Sequence, residues 1–326
     1  MTTLQDHRWT PTIQGCSAAL LFALAAIWSP TAAFAQFPNG PVRWILPEPT
    51  GGNFDALARG IAPVLAKNLK VPVVVQNIPG PEGVNQVYRA KPDGQTIGML
   101  DPMGELAREI VMKPDFNVHE MTWLGRINAG TNLVVASKKS GITSFDELKG
   151  RKTPVRIGIF GLSSPFVQLI MLSSAAKFPI VPVNYRTIGE LIFGHVRGDT
   201  DLSSLGVNAW LKHIEAGNAV PILMVGAERD ARSPNTPSLN DVGLGQYGIF
   251  TIHRAVSAPP GVPADVRDKL VAAFRATMTD PTTIAFLERA KFESNSLWGS
   301  DFDPIAKGLG AALPEHADVL KQAVTQ

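Results

Sequence analysis

Residues 47–55 read Pro-Glu-Pro-Thr-Gly-Gly-Asn-Phe-Asp, between an apolar run, Val42 to Leu46, and a stretch of helical periodicity. Paired glycines ahead of a helix start let a ligand approach the backbone, and the free N–H groups there carry a partial positive charge. A loop of this kind holds an anionic group without any charged side chain. Its other reading is a tight strand-to-helix turn capped by Asp55, which serves structure alone. The same pattern returns once: Val155 to Phe160 runs into Gly161-Leu162-Ser163-Ser164-Pro165-Phe166, and a helix follows.

The elements that must position these loops alternate. After the first loop come a helical stretch to Leu69, which Pro63 is expected to split or kink, and a buried strand at Val71 to Val75. A turn-rich loop at 77–83, a helix from Val84, a Lys-Pro-Asp-Gly turn at 91–94 and a strand at Thr96 to Leu100 follow. The order restarts after Trp123 with a strand at Leu133 to Ser137 and a Ser144-to-Glu147 capping box that predicts a short helix. Alternation of this kind predicts an α/β fold of two lobes, each a mostly parallel sheet with helices on both faces. A ligand then belongs in the cleft between the carboxyl ends of the two sets of strands.

Composition narrows the class. Residues 1–35 combine a polar start holding Arg8, an apolar run from Cys16 to Trp28 and the small-residue pattern Ala33-Phe34-Ala35, which predicts a signal peptide cleaved after Ala35. Cys16 is the sole cysteine and falls in that segment, leaving the remainder without disulfides or cysteine-based metal sites. The net charge is +2 and the basic residues are scattered, which argues against nucleic acid or an anionic membrane surface as partner. His119, His195, His213 and His253 are isolated, so neither a metal nor another cofactor is expected.

The chain resembles the receptor family of tripartite tricarboxylate transporters, the Bug or TctC extracytoplasmic solute-binding proteins. The resemblance rests on the opening segment from Phe37 to Gly83, the 91–94 turn, Trp123-Leu124-Gly125, the Ser144-Phe145-Asp146-Glu147-Leu148 stretch, the Tyr185 to Asp201 spacing and residues 258–263. It implies a two-lobed Venus-flytrap fold: residues 36–132 with 254–326 form lobe I, and 133–253 form lobe II. It also implies a periplasmic, monomeric, non-enzymatic receptor that carries a small carboxylate to membrane permease subunits.

Carried over by position, the family's first binding loop falls on Thr50, Gly51, Gly52 and Asn53, with Asp55 bracing it. The second falls on Gly161 to Phe166, where Ser163 and Ser164 would donate hydroxyls; the third falls on Tyr185, Arg186 and Thr187, and Asp201 is structural. Arg186 reads either as a bidentate carboxylate clamp or as a solvated surface arginine, and Tyr185 either as a donor or as packing. Glu48 replaces the family's aromatic residue and is read as pointing to solvent, the alternative being a ligand hydroxyl or cation that pairs with it. His253-Arg254 also replaces an aromatic residue, and Arg254 is set aside as a contact. Two other functions stay open: presentation of the liganded form to a sensor kinase, and, remotely, a hydrolase, although Pro165 occupies the second glycine position of a nucleophile elbow.

Overall fold

The computed structural model describes residue 2 and residues 37–325, so the expected signal peptide, its cleavage after Ala35 and Cys16 lie outside the described residues. Two sheets organise the chain. In the first, β1 (Val42–Leu46) lies next to the edge strand β2 (Val73–Asn77) and pairs in parallel with it and with β3 (Thr96–Leu100). Every residue of β3 is buried, the mark of a strand covered on both faces. The sheet continues antiparallel through β10 (Ile252–Ala258), β4 (Thr122–Gly130) and β11 (Leu297–Trp298).

The second sheet repeats that scheme. β6 (Val155–Ile159) lies between parallel neighbours β7 (Ile180–Asn184) and β8 (Leu202–Gly206), and β5 (Asn132–Ser137) and β9 (Ala219–Val225) extend it antiparallel. The chain therefore crosses between sheets twice: at Thr131, and through residues 226–251.

Helix α1 (Asn53–Leu69) follows β1 and buries Leu57, Ile61 and Leu65 in one apolar cluster with Phe274 of α7 (Ala264–Thr279). Pro63 does not split it. The proline ring faces solvent, and burial of the opposite helix face outweighs the lost N–H donor, which costs about 3 kcal/mol in isolation. The Ser144 capping box is also corrected: the segment forms one 3₁₀ turn, Asp146–Leu148, and the Ser144 hydroxyl donates to Glu147 at 3.3 Å.

A larger apolar cluster joins the two sheets. It takes Met103 and Leu106 from α3 (Pro102–Met112), Phe166 and Ile170 from α4 (Ser164–Ala176), and Leu320 from α10 (Ala317–Thr325). Thus α10, expected with the first lobe, packs against α3 of one sheet and against α4 and β7 of the other.

Replacing Pro63 by Ala restores the missing donor to a helix that already exists, offset by greater freedom of the unfolded chain. We expect a gain of about 1–2 kcal/mol in urea unfolding. A loss would show that the helix depends on the proline's geometry.

Candidate functional site

The carboxyl ends of β1, β3 and β6 run directly into the N-termini of α1, α3 and α4. The Ser164 hydroxyl at the start of α4 donates to Asp101 Oδ2 at the start of α3, and both residues are buried. Gly104 lies beside this contact: a Cβ on it would sit at ordinary packing distance, 3.6 Å from that carboxylate and 3.8 Å from the Ser164 hydroxyl. Helix N-termini from both sheets are thereby brought together. Each carries unpaired N–H groups and a partial positive charge.

In the first loop, Gly51 has φ +84°, a conformation that requires glycine, and its N–H donates to Asp55 Oδ2 at 3.0 Å. Asp55 also accepts from Arg59 Nε at 2.8 Å, while Arg59 reaches Asn77 Oδ1 at 2.7 Å and Asn77 donates to the Glu48 carbonyl at 3.1 Å. The N-cap is Gly52, not Asp55. Asp55 sits within the first turn and takes one of the loop's own donors. The N–H groups of Asn53 and Phe54 remain without intrahelical acceptors. Thr50, Gly51 and Asn53 are exposed, and a Cβ on Gly52 would meet only the Pro49 carbonyl, at 3.6 Å.

In the second sheet, Gly161 is left-handed at φ +55° with open space beside it, and Ser163 is the N-cap of α4 but makes no side-chain cap bond. The third region divides. The Tyr185 hydroxyl is buried without a partner, against Gly194 of α5 (Ile188–Arg197), where a Cβ would approach it to 2.3 Å. Burial above all, and then Asp199, raise this phenol above its ordinary range against Arg197 and Arg156. Thr187 caps α5, accepting from Glu190 N–H at 3.1 Å, whereas the Arg186 side chain is 92% exposed and 3.9 Å from Glu190. Asp201 is engaged by Arg156 Nη2 at 2.6 Å and by its backbone N–H at 2.8 Å.

Charged groups that sequence reasoning did not assign fill the junction. Glu48 is half-buried rather than solvent-pointing and makes no hydrogen bond through its carboxylate among the described residues. Burial first, then Glu105 and Asp101, push its carboxyl up to about 7 against the pull of Arg108 and Arg254. Burial likewise raises Asp101 to about 7; the Ser164 hydroxyl, Arg254 and the His253 N–H oppose this, and Glu105 adds to it. Glu105, raised by burial, pairs with Arg108 at 3.0 Å. Arg254 is 6% exposed, its guanidinium carbon lies over the rings of Phe54 and Phe292 at 5.4 and 5.7 Å from their centres, and it donates to Asn128 at 3.0 Å.

Beside Arg254, both crossings are tied to α4. Asn132 donates to Gln168 Oε1 at 2.7 Å, and Gln168 Nε2 donates to the Phe250 carbonyl at 2.6 Å. His253 Nδ1 lies 3.1 Å from Arg126 Nη1 and Nε2 lies 3.1 Å from the Ile249 carbonyl; burial lowers this histidine to about 4, so it is neutral. Two signals pointed here. Asp101-Pro102 follows an apolar strand end, Ile97 to Leu100, as the other two loops follow Trp44 to Leu46 and Ile157 to Phe160, and Arg254 is a charged residue within the strand β10.

Carboxyls raised in the folded state make stability fall with pH. The benefit of their protonated forms is complete below ordinary carboxylate values and is lost as pH climbs through about 7. Asp241, held at about 2 by Arg229 and Ser238, is ionised throughout that window and adds no slope. Between pH 5 and 8 the ligand-free protein is expected to lose up to about 5 kcal/mol relative to the Glu48→Gln, Asp101→Asn double variant, read from thermal unfolding. Parallel curves would show that both acids titrate normally.

Comparison with known proteins agrees with this architecture. The chain is 25% identical over 283 residues to protein BugT of Bordetella pertussis, covering 83% of this chain and 80% of that one. A Rhodopseudomonas palustris protein solved with adipate superposes with a TM-score of 0.70 at 20% identity, covering 87% of this chain and 98% of its own. MatC from the same organism, solved with malate, gives 0.67 at 21%, covering 88% and 100%. The family model described as the tripartite tricarboxylate transporter family receptor matches residues 57–303, from the middle of α1 to the start of the last helices. The chain therefore belongs to the receptor family of tripartite tricarboxylate transporters.

Proposed function

We propose that this receptor binds a small organic carboxylate between its two lobes in the periplasm and presents the closed form to permease subunits. The convergence of helix N-termini from both sheets on one junction, joined at Asp101 and Ser164, carries this reading. Similarity in fold to proteins solved with malate and adipate supports it. Lobe I comprises the residues up to Thr131 and from Ile252 onward, lobe II comprises Asn132 to Thr251, and the crossings near Thr131 and Phe250 act as the hinge.

One carboxylate is held by the N–H groups of Gly52 and Asn53 with the Thr50 hydroxyl, while Gly51 and Asp55 keep the loop in shape. Gly161 and Ser163 form the facing wall, and Ser164 fixes that wall to α3. Arg186 reaches over the rim, and Tyr185 and Thr187 set its backbone. The protein is exported by cleavage after Ala35 and acts as a monomeric receptor rather than an enzyme.

Thermal unfolding against mono-, di- and tricarboxylates tests the reading. A true ligand at about 100 times its Kd stabilises by about 2.7 kcal/mol; no shift with any acid would remove carboxylates from consideration. Gly52 has φ −79° and ψ 175°, which any residue adopts, so Gly52→Leu is expected to fold normally yet lose at least about tenfold in affinity. Unchanged binding would exclude the loop. Arg186→Ala is expected to weaken diacids more than monoacids, and equal losses would assign Arg186 to solvent.

A further inference from the structure

An ion pair spans the two lobes. Arg232 lies in the 226–251 crossing, in a loop tied back onto β9: the Met224 N–H donates to the Pro237 carbonyl at 2.7 Å and the Leu239 N–H to the Gly226 carbonyl at 3.0 Å. Its Nη2 lies 2.9 Å from Glu293 Oε1, and Glu293 stands just before β11 of the first sheet. By contrast, Arg108 with Glu105, Arg156 with Asp201 and Arg275 with Asp301 each join residues of one lobe.

Each end of this pair is held by its own lobe. Arg232 Nε donates to Asp230 Oδ1 at 2.8 Å and Nη2 to Oδ2 at 2.5 Å, while Nη1 donates to Asn208 Oδ1 at 3.2 Å, at the start of α6 (Val207–Glu215). The guanidinium is therefore aimed by lobe II alone, and little side-chain freedom is lost when it meets Glu293. On the other side the Glu293 carbonyl accepts from Asn128 Nδ2 at 3.3 Å, and Asn295 exchanges hydrogen bonds with Ala129 at 2.7 and 3.1 Å. None of the Arg232, Asp230 and Glu293 side chains is more than 31% exposed, so salt screens the pair less than it would on open surface. The pair also reaches the junction. Asn128 accepts from Arg254 at 3.0 Å, and burial works against the charge on Arg254 while the Glu293 carboxylate supports it.

We propose that Arg232 is the latch of lobe closure: a cation held ready in lobe II by Asp230 and Asn208, which captures Glu293 of lobe I when the lobes close and releases it when they part. Rotation about the crossings separates the two ends while each keeps the partners of its own lobe. Arg232 is then a positioning residue, acting through Glu293 and Asn128 on Arg254. A partly exposed pair of this kind biases an equilibrium a few-fold, enough to favour closure and weak enough to let go. The inference rests on the closure of two lobes read above and names the contact that sets its balance.

Spin-label distances measured across the lobes test it. Beyond Cys16 the chain has no cysteine, so Lys67→Cys and Lys212→Cys, at exposed positions of α1 and α6, supply the labels. In Glu293→Ala and in Arg232→Gln we expect the ratio of open to closed molecules to rise at least about threefold, and the double variant to go no further than the stronger single change. Glu288→Ala, which removes an exposed acid of the same lobe, is expected to leave the ratio as it was. Acetate, glutarate and citrate are then added to each protein in turn. A distance that shortens with an acid but is unchanged by both folded single variants would overturn the latch and leave closure on a carboxylate standing. Opening in the variants without a response to any acid would uphold the latch and remove those carboxylates. One distance in every sample, acids included, would remove closure and latch together. Additive effects in the double variant would also overturn the inference, because the two residues would not be acting as a pair.

Discussion

The junction between the two sheets depends on one contact, the Ser164 hydroxyl donating to Asp101, which brings the N-terminus of α4 up to that of α3. Two helix starts placed close together concentrate partial positive charge, and unaided they would repel. A buried acid between them relieves that repulsion. The same acid also makes the junction electrostatically delicate, because the desolvation that raises it acts on Glu48 too.

Behind this contact the lobes share material that is not polar. Met103 and Leu106, Phe166 and Ile170, and Leu320 form one apolar cluster, so the last helix belongs to neither sheet alone. The polar ties at Asn132, Gln168 and Phe250 link both chain crossings to α4. Buried polar networks of this kind specify one geometry more than they add stability, because their partners are lost together when the geometry changes. The arrangement suits a molecule whose two halves must return to a defined relation.

Tyr185, Arg186 and Thr187 follow β7 at the end of the sheet where a ligand is expected, yet the Tyr185 hydroxyl turns inward because Gly194 leaves space for it beneath α5. Thr187 is consumed as a helix cap. Spacing along a strand places a residue at the correct end of a sheet, but the volume left by a neighbouring helix decides where its side chain goes.

By itself the sequence determined the alternation of strands and helices, the two glycine-containing loops, and the family resemblance, because each rests on local periodicity and turn chemistry over a few residues. The continuous helix through Pro63 escaped it, since packing on α7 is a long-range term that overrides a local penalty. So did the cap at Gly52, because Asp55 was needed for Gly51. Only the tertiary structure decided that Glu48, Asp101 and Arg254, distant in the chain, would act on one another's ionisation in one buried junction. Charge balance belongs to a place in space, and residues some 200 positions apart in the chain share that place only after folding.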